Sequence, residues 1–335
     1  MWYTIKLGNY KEFEMIEVSN LVKVYGTNTA LNGISFTVGN REILGFLGPN
    51  GAGKSTTMNI MTGYISSTSG KVTVDGTDIS EKPEEAKKKI GYLPEIPPLY
   101  PDMTVYEYLS FVCDLKNCKF EKKPHIEEIM RVCRIADVAR RLIKNLSKGY
   151  KQRIGIAQAL VGNPPVLIFD EPTVGLDPKQ IIEVRNLIRT LGRDHTVILS
   201  THILSEVQAV CDRIVIINEG KILADEKAES ITRAVNGNAK FMLKVVGPQK
   251  EIAAALREVR GVVSVQLSGG SERDTFIYHV ESEAGSDARR DMFFKMAEEG
   301  YPIVEMTREG VSLEEVFIKL TDSSKTSAKK RRSVR

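Results

Sequence analysis

The chain has 335 residues, 42% of them hydrophobic and 27% charged, which is the composition of an ordinary folded protein. That composition excludes a mostly disordered chain or a low-complexity fibre, and the length predicts about two domains. The net charge of +4 depends on residues 323–335, which hold six basic side chains and no acidic one. The remainder is slightly acidic, and we interpret residues 322–335 as a basic disordered tail.

No stretch approaches the roughly 20 apolar residues that a membrane span requires. The four cysteines form no CxxC pair, so the sequence indicates neither a zinc site nor a disulfide framework. Both observations fit a protein of the reducing cytoplasm.

The first two thirds of the chain predict strands that alternate with helices. Residues 1–14 are interpreted as an N-terminal extension or a mis-assigned start. Strand patterns follow over residues 15–18, 21–26, 33–38, 43–47 and 71–75. Helical spacing covers residues 55–61, 105–112 and 126–141. Apolar runs predict buried parallel strands over residues 166–169, 196–200 and 213–217. We therefore expect an α/β domain over residues 15–230, with a helical subdomain at about residues 95–160.

The pattern changes near residue 230 and predicts a second, smaller α+β domain over residues 238–321. Its elements are expected over residues 240–246, 249–259, 262–267, 275–280, 287–299 and 303–306. Their order, βαββαβ, is that of a ferredoxin-like unit. A last helix over residues 312–320 has Ser312 as N-cap and Glu315 completing a capping box.

A glycine-rich loop is the strongest functional motif. It fits GxxxxGK[ST] between a strand and a helix, and its residues are Gly48, Pro49, Asn50, Gly51, Ala52, Gly53, Lys54, Ser55 and Thr56. The glycines let backbone N–H groups point at phosphate oxygens, and the helix N-terminus adds positive potential. Lys54 would reach the β and γ phosphates, and the Ser55 hydroxyl would bind Mg²⁺. This loop predicts a nucleotide-binding site, and the family resemblance given below implies that the nucleotide is ATP.

Two carboxylates follow the apolar run 166–169, where a buried strand would end beside the phosphate loop. Asp170 is expected to hold Mg²⁺ through water. Glu171 is expected to polarise the attacking water as general base. Lys54 and this pair together predict nucleotide hydrolysis.

The run from Leu146 to Tyr150, LSKGY, resembles the LSGGQ signature of ATP-binding cassette (ABC) ATPases, and its Ser147 lies 23 residues before Asp170. Lys148 and Tyr150 depart from that signature. The resemblance implies that Ser147 and Gly149 contact the γ-phosphate. It also assigns roles elsewhere in the chain: Asp177 to a D-loop, His202 to the switch histidine that positions the lytic water, and Tyr25 to the aromatic that stacks on adenine.

Glu95 stands where most ABC ATPases carry the glutamine of the Q-loop. A carboxylate can coordinate Mg²⁺ but, when ionised, cannot donate a hydrogen bond to water. Three alternatives stay open. Mg²⁺ could offset the charge of Glu95, Glu95 could be partly protonated, or Glu95 could contact the site in one conformation of the protein only.

Residues 92–100, 148–150 and 312–317 resemble the ATPase subunits of drug-, polysaccharide- and gliding-motility-type exporters. This implies a head-to-tail dimer, either a homodimer or a dimer with a second ATPase subunit, in which Lys54 of one subunit faces Ser147 of the other. It also implies transmembrane permease partners and a peripheral place on the cytoplasmic face of the membrane. Docking is expected near residues 97–111, with the anchors Tyr100, Pro101, Met103, Tyr106 and Tyr108.

The docking segment and the transport role each have an alternative. Residues 97–111 could form an ordinary buried helix, and the chain could be an ABC ATPase with a role outside transport, in DNA repair or translation. No pattern of basic and aromatic residues predicts nucleic-acid binding. The second domain is expected to regulate or support the dimer, with ligand sensing as the alternative.

Overall fold

The computed structural model describes residues 14–119, 121–229, 239–272, 274–283 and 288–309. The predicted last helix, the basic tail and most of the N-terminal extension lie outside the described residues. The chain divides into two compact units between Ala228 and Glu229.

Strands and helices alternate through the first unit. Its strands are β1 (Ile16–Tyr25), β2 (Asn28–Val38), β3 (Ile43–Leu47), β4 (Ser69–Val74), β5 (Thr77–Asp78), β6 (Ile90–Leu93), β7 (Val166–Asp170), β8 (Thr196–Thr201), β9 (Arg213–Asn218) and β10 (Lys221–Lys227). Its helices are α1 (Lys54–Met61), α2 (Pro83–Lys88), α3 (Val105–Leu115), α4 (Lys122–Val132), α5 (Lys148–Leu160), α6 (Pro178–Leu191) and α7 (Leu204–Val210).

A six-stranded sheet positions the site, with strand order β10-β9-β3-β8-β7-β6. Its strands run parallel except β10, which pairs antiparallel with β9. Every residue of β3, β7 and β8 is buried, as expected of strands covered on both faces. This confirms the predicted α/β class. The register pairs Leu47 with Thr201 and Asp170 with Ser200, so the carboxyl ends of these three strands lie side by side.

A second sheet, of order β2-β1-β4-β5, is antiparallel. Side chains such as Ile16, Phe36 and Val72 share one hydrophobic core with Phe46 and Ile168 of the six-stranded sheet. Burial of this apolar surface is the main favourable term that holds the two sheets together.

The helix predicted over residues 126–141 is wrong at both ends. Helix α4 begins at Lys122 and ends at Val132, and Arg134 adopts a left-handed φ of 53°. A 3₁₀ turn follows at Ala136–Val138. The chain leaves the helix there because Ile135, which is fully buried, turns inward and donates its N–H to the Met130 carbonyl at 2.9 Å.

The second unit has the predicted βαββαβ order. Its elements are β11 (Ala239–Val246), α8 (Gln249–Glu258), β12 (Val262–Glu272), β13 (Thr275–Ser282), α9 (Arg289–Glu298) and β14 (Ile303–Glu309). The sheet order is β12-β13-β11-β14, with every neighbouring pair antiparallel. Its own core includes Phe241, Leu243, Leu256, Tyr278 and Met292. In the described parts of both units, no helix is long and apolar enough to cross a membrane.

Candidate active site

A cleft of about 700 Å³ opens where β3, β7 and β8 end, the edge at which parallel sheets bind ligands. Among the residues predicted from sequence it brings together Tyr25, Asn50, Gly51, Gly53, Lys54, Ser55, Thr56, Glu95, Glu171 and His202. It also includes residues that no sequence motif predicts, namely Asn28, Thr29, Ala30, Val174, Glu219 and Gly220. The turn-forming Asn-Glu-Gly run at 218–220 was the available signal for the last two.

The phosphate loop forms one wall of the cleft. Gly51 and Gly53 have positive φ values of 79° and 109°, which a residue with a side chain rarely adopts. Lys54 is buried, and its Nζ donates to the carbonyl oxygens of Gly48 at 2.8 Å and Pro49 at 3.3 Å. Because α1 begins at Lys54, its positive N-terminal end faces the same space. The loop therefore has the geometry of an anion site.

Two oxygen-bearing side chains meet beneath this loop. Asp170 is buried and accepts a hydrogen bond from Ser200 Oγ at 2.7 Å, and it is also hydrogen-bonded to the side chain of Ser55. Burial raises the pKa of Asp170, while the hydrogen bonds from Ser200 and Ser55 act in the opposite direction. A hydroxyl and a carboxylate fit Mg²⁺, which usually takes its remaining ligands from phosphate and water.

Glu171 lines the cleft between His202 and Lys54. Its two carboxylate oxygens each lie 3.0 Å from His202 Nδ1, and Oε1 lies 3.5 Å from Lys54 Nζ. Its φ of 49° is left-handed, so the chain turns sharply as β7 ends, and the carboxylate is buried beside the loop. Such local strain is often stored at functional sites. An anionic acceptor held between a histidine and a lysine can take a proton from a bound water.

Tyr25 and Glu95 border the cleft at its rim. Tyr25 ends β1 with 48% of its surface exposed, and Lys23 Nζ lies 4.9 Å from its ring centroid. Glu95 follows β6 by two residues and is exposed. Both side chains are therefore accessible to a molecule in the cleft.

Seven predicted site residues do not line the cleft. Gly48, Pro49, Ala52 and Asp170 belong to the phosphate loop and the end of β7 that border it, whereas Ser147, Gly149 and Asp177 lie elsewhere. Ser147 is the N-cap of α5 and accepts from Tyr150 N at 3.4 Å, and Asp177 is the N-cap of α6 and accepts from Gln180 N at 2.9 Å. Gly149 packs on Gln180, because a Cβ at Gly149 would lie 2.6 Å from the Gln180 side chain. Ser147, Gly149 and Asp177 therefore lie outside the cleft that contains the phosphate loop of the same chain.

The departures from the signature have specific contacts. Lys148 lies against Gly175, where its Nζ occupies the space a Cβ would take. The Tyr150 hydroxyl donates to Asp137 at 2.7 Å, and the Arg153 guanidinium lies 4.7 Å from the Tyr150 ring centroid. The two substitutions are thus accommodated within the chain.

One predicted docking anchor is wrong. Tyr108 is only 2% exposed, and its hydroxyl donates to the Pro98 carbonyl at 3.1 Å. It lies on the buried face of α3, together with Val105 and Leu109. Tyr100, by contrast, is 49% exposed.

Comparison with known proteins agrees with this geometry. The ABC transporter family model matches residues 31–174. The bacitracin transport ATP-binding protein BcrA of Bacillus licheniformis is 32% identical, over 91% of this chain and 97% of its own. The linearmycin resistance ATP-binding protein LnrL of Bacillus subtilis is 36% identical, over 76% of this chain and 82% of its own.

Solved structures show the same fold. The dimeric post-hydrolysis structure of the ATP-binding cassette MJ0796, bound to ADP and Pi, has a TM-score of 0.58 at 26% identity. It covers 64% of this chain and 99% of its own. The phosphate loop, the carboxylate pair and these relatives together establish that the chain belongs to the ABC transporter family, as an ATP-binding subunit that hydrolyses ATP.

Proposed function

We propose that this chain is the ATPase subunit of an exporter and drives substrate through separate transmembrane permease subunits. The central observation is the Glu171 carboxylate at the end of β7, 3.0 Å from His202 Nδ1 and 3.5 Å from Lys54 Nζ. Support for transport comes from relatives named for bacitracin transport, linearmycin resistance and lantibiotic transport. We propose a peripheral place on the cytoplasmic face of the membrane.

In the proposed reaction, water attacks the γ-phosphorus, the bond to the β-phosphate oxygen breaks, and ADP and phosphate leave. Glu171 takes the proton of that water, and His202 orients it while contacting the γ-phosphate. Lys54 exchanges its carbonyl partners for the β- and γ-phosphate oxygens. Tyr25 stacks on adenine.

Ser55, Asp170 and Glu95 are the proposed side chains on the Mg²⁺ side of the nucleotide. Their oxygen atoms are the ligand type that Mg²⁺ prefers. When bound, the ion would supply positive charge to the phosphates, and it would offset the charge of Glu95.

We further propose that two chains combine head to tail. Lys54 of one copy would then face Ser147 and Gly149 of the other, with Asp177 nearby. The support is that these residues lie outside the cleft of their own chain, while a dimeric cassette structure matches the fold. For the permease we propose docking near residues 97–111, with Tyr100 as an exposed aromatic contact.

The substitution Glu171→Gln tests the proposed chemistry. Glutamine keeps the shape but cannot accept the proton, so we expect the ATP hydrolysis rate to fall by roughly 10²-fold or more. ATP binding should persist. Glu128→Gln, at an exposed ion pair with Arg131 on α4, is the matched control and should leave the rate unchanged. Undiminished turnover in Glu171→Gln would show that the base is another group.

The transport assignment needs a separate measurement. A tagged chain expressed in its own host should co-purify with a polytopic membrane protein after gentle detergent extraction. Recovery in the aqueous fraction without any membrane protein would favour the role outside transport.

A further inference from the structure

Helix α7 carries a buried carboxylate to which the proposed chemistry assigns no role. Glu206 is 1% exposed. Its Oε1 accepts a hydrogen bond from the Thr173 hydroxyl, and its Oε2 accepts one from the Thr201 hydroxyl at 2.9 Å. Both threonines are themselves buried. The two oxygens of one carboxylate are therefore each committed to a different loop.

These two loops carry the central residues of the cleft. Thr173 lies two residues after Glu171, inside a turn in which Val174 N donates to the Glu171 carbonyl at 3.2 Å. Thr201 immediately precedes His202, and its hydroxyl oxygen also accepts from Ile203 N at 3.0 Å. Glu206 thus joins the segment that orients Glu171 to the segment that orients His202.

The charge of Glu206 makes this connection strong. Hydrogen bonds to an ionised carboxylate are shorter and roughly twice as strong as neutral ones. A cation also approaches Glu206: Arg185 on α6 has its Nη2 4.0 Å from Oε1. A buried carboxylate is costly unless it is paired and hydrogen-bonded, and here both threonines and the arginine compensate it.

We propose that Glu206 is a positioning residue that clamps the Glu171 loop to the His202 loop. It holds the 3.0 Å contact between their side chains without touching the nucleotide. The inference rests on the proposed roles of Glu171 and His202. A geometric clamp of this kind acts on the chemical step more than on nucleotide binding.

Two substitutions at Thr201 separate a clamp from simple packing. Thr201→Val keeps the branched shape and loses the hydroxyl, whereas Thr201→Ser keeps the hydroxyl and loses a methyl group. A clamp predicts that kcat falls about 10- to 100-fold in the valine variant, with KM for ATP little changed. The serine variant should retain most of kcat. Thr190→Val, which removes an exposed hydroxyl on α6, is the matched control.

Glu206→Gln provides the second measurement. An amide offers one acceptor oxygen in place of two and carries no negative charge, so one threonine hydroxyl loses the acceptor for its proton. We expect kcat to fall with retained ATP binding, and the double variant Glu206→Gln with Thr201→Val to lose less than the product of the single losses.

The outcomes are distinct. If Thr201→Val keeps kcat and Thr201→Ser loses it, packing explains the site and the clamp is overturned. Fully multiplicative losses in the double variant would also overturn it. If Glu206→Gln does not fold, the valine and serine comparison still decides. Glu171→Gln, measured in parallel, reports on the general-base role alone, so its failure is distinguishable from failure of the clamp.

Discussion

Tyr25 differs from the buried side chains of the site because the fold constrains it little. Half of its surface is exposed at the end of β1, while Lys54, Asp170 and Glu171 are buried in hydrogen-bonded positions. Substitution of a buried site residue would disturb both structure and chemistry. Tyr25 can be replaced with small structural effect, so it gives the cleanest single-residue test of nucleotide affinity.

We predict that Tyr25→Ala weakens ATP binding about tenfold or more, because stacking on a base contributes ~1–3 kcal/mol. Tyr25→Phe keeps the ring and should bind nearly as well as the original chain. Fluorescence titration with ATP measures both. Tyr64→Ala, at a tyrosine that is 79% exposed and outside the cleft, is the control. Equal affinities for all three variants would exclude stacking.

At the scale of elements, Lys116 connects the end of α3 to the end of α5. Its Nζ donates to the carbonyl oxygens of Val161 at 2.8 Å and Ala159 at 3.4 Å. Burial lowers the pKa of Lys116 from 10.5 to about 8. Helix α5, which begins at Lys148 in the signature run, is thus hydrogen-bonded at its C-terminal end by a lysine whose charge is costly to bury.

This lowered pKa predicts a specific dependence of stability on pH. Between about pH 8 and 10.5 folded Lys116 has released a proton that it still binds in the unfolded chain, so the Lys116 contribution to the free energy of unfolding should rise with pH. Lys116→Met should lack this contribution. Urea unfolding of both proteins at several pH values gives the difference, with Lys119→Met as an exposed control. A difference that falls with pH would contradict the burial of Lys116.

At the scale of the whole molecule, the described residues of one chain hold two separated halves of the proposed catalytic machinery. Lys54, Glu171 and His202 share the cleft, whereas Ser147 and Asp177 cap α5 and α6 outside it. A head-to-tail dimer would bring one half from each chain to each nucleotide. The dimer is therefore testable by mixing chains that are defective in different halves.

We predict that a Lys54→Ala chain and a Ser147→Arg chain, each inactive alone, recover measurable ATP hydrolysis when mixed. In a mixed dimer one composite site carries both substitutions and the other carries neither. Steady-state phosphate release from the mixture should exceed the sum of the separate chains. A mixture that stays as inactive as its components would argue against composite sites in a homodimer.

Local sequence patterns were sufficient to predict the elements and motifs that are formed by contiguous residues. The apolar runs of β7, β8 and β9, the phosphate loop and the βαββαβ order of the second unit all follow from local patterns, because each element carries its own periodicity and turns. Family resemblance added Tyr25 and His202, which the structure brings to the cleft. Helices α2, α5, α6 and α7 were not predicted, although α6 carries a regular helical spacing of buried residues at Val184, Leu187, Ile188 and Leu191.

Other features depend on contacts between segments that are distant in the chain. In the folded chain α4 ends at Val132 because Ile135 turns into the core, and Tyr108 is buried on the inner face of α3. A hydrogen bond also joins Thr173 to Glu206 across 33 residues of chain. Such features depend on long-range packing and on the hydrogen bonding of buried polar groups. These contacts form only when distant segments meet, so they leave no periodic pattern in the sequence.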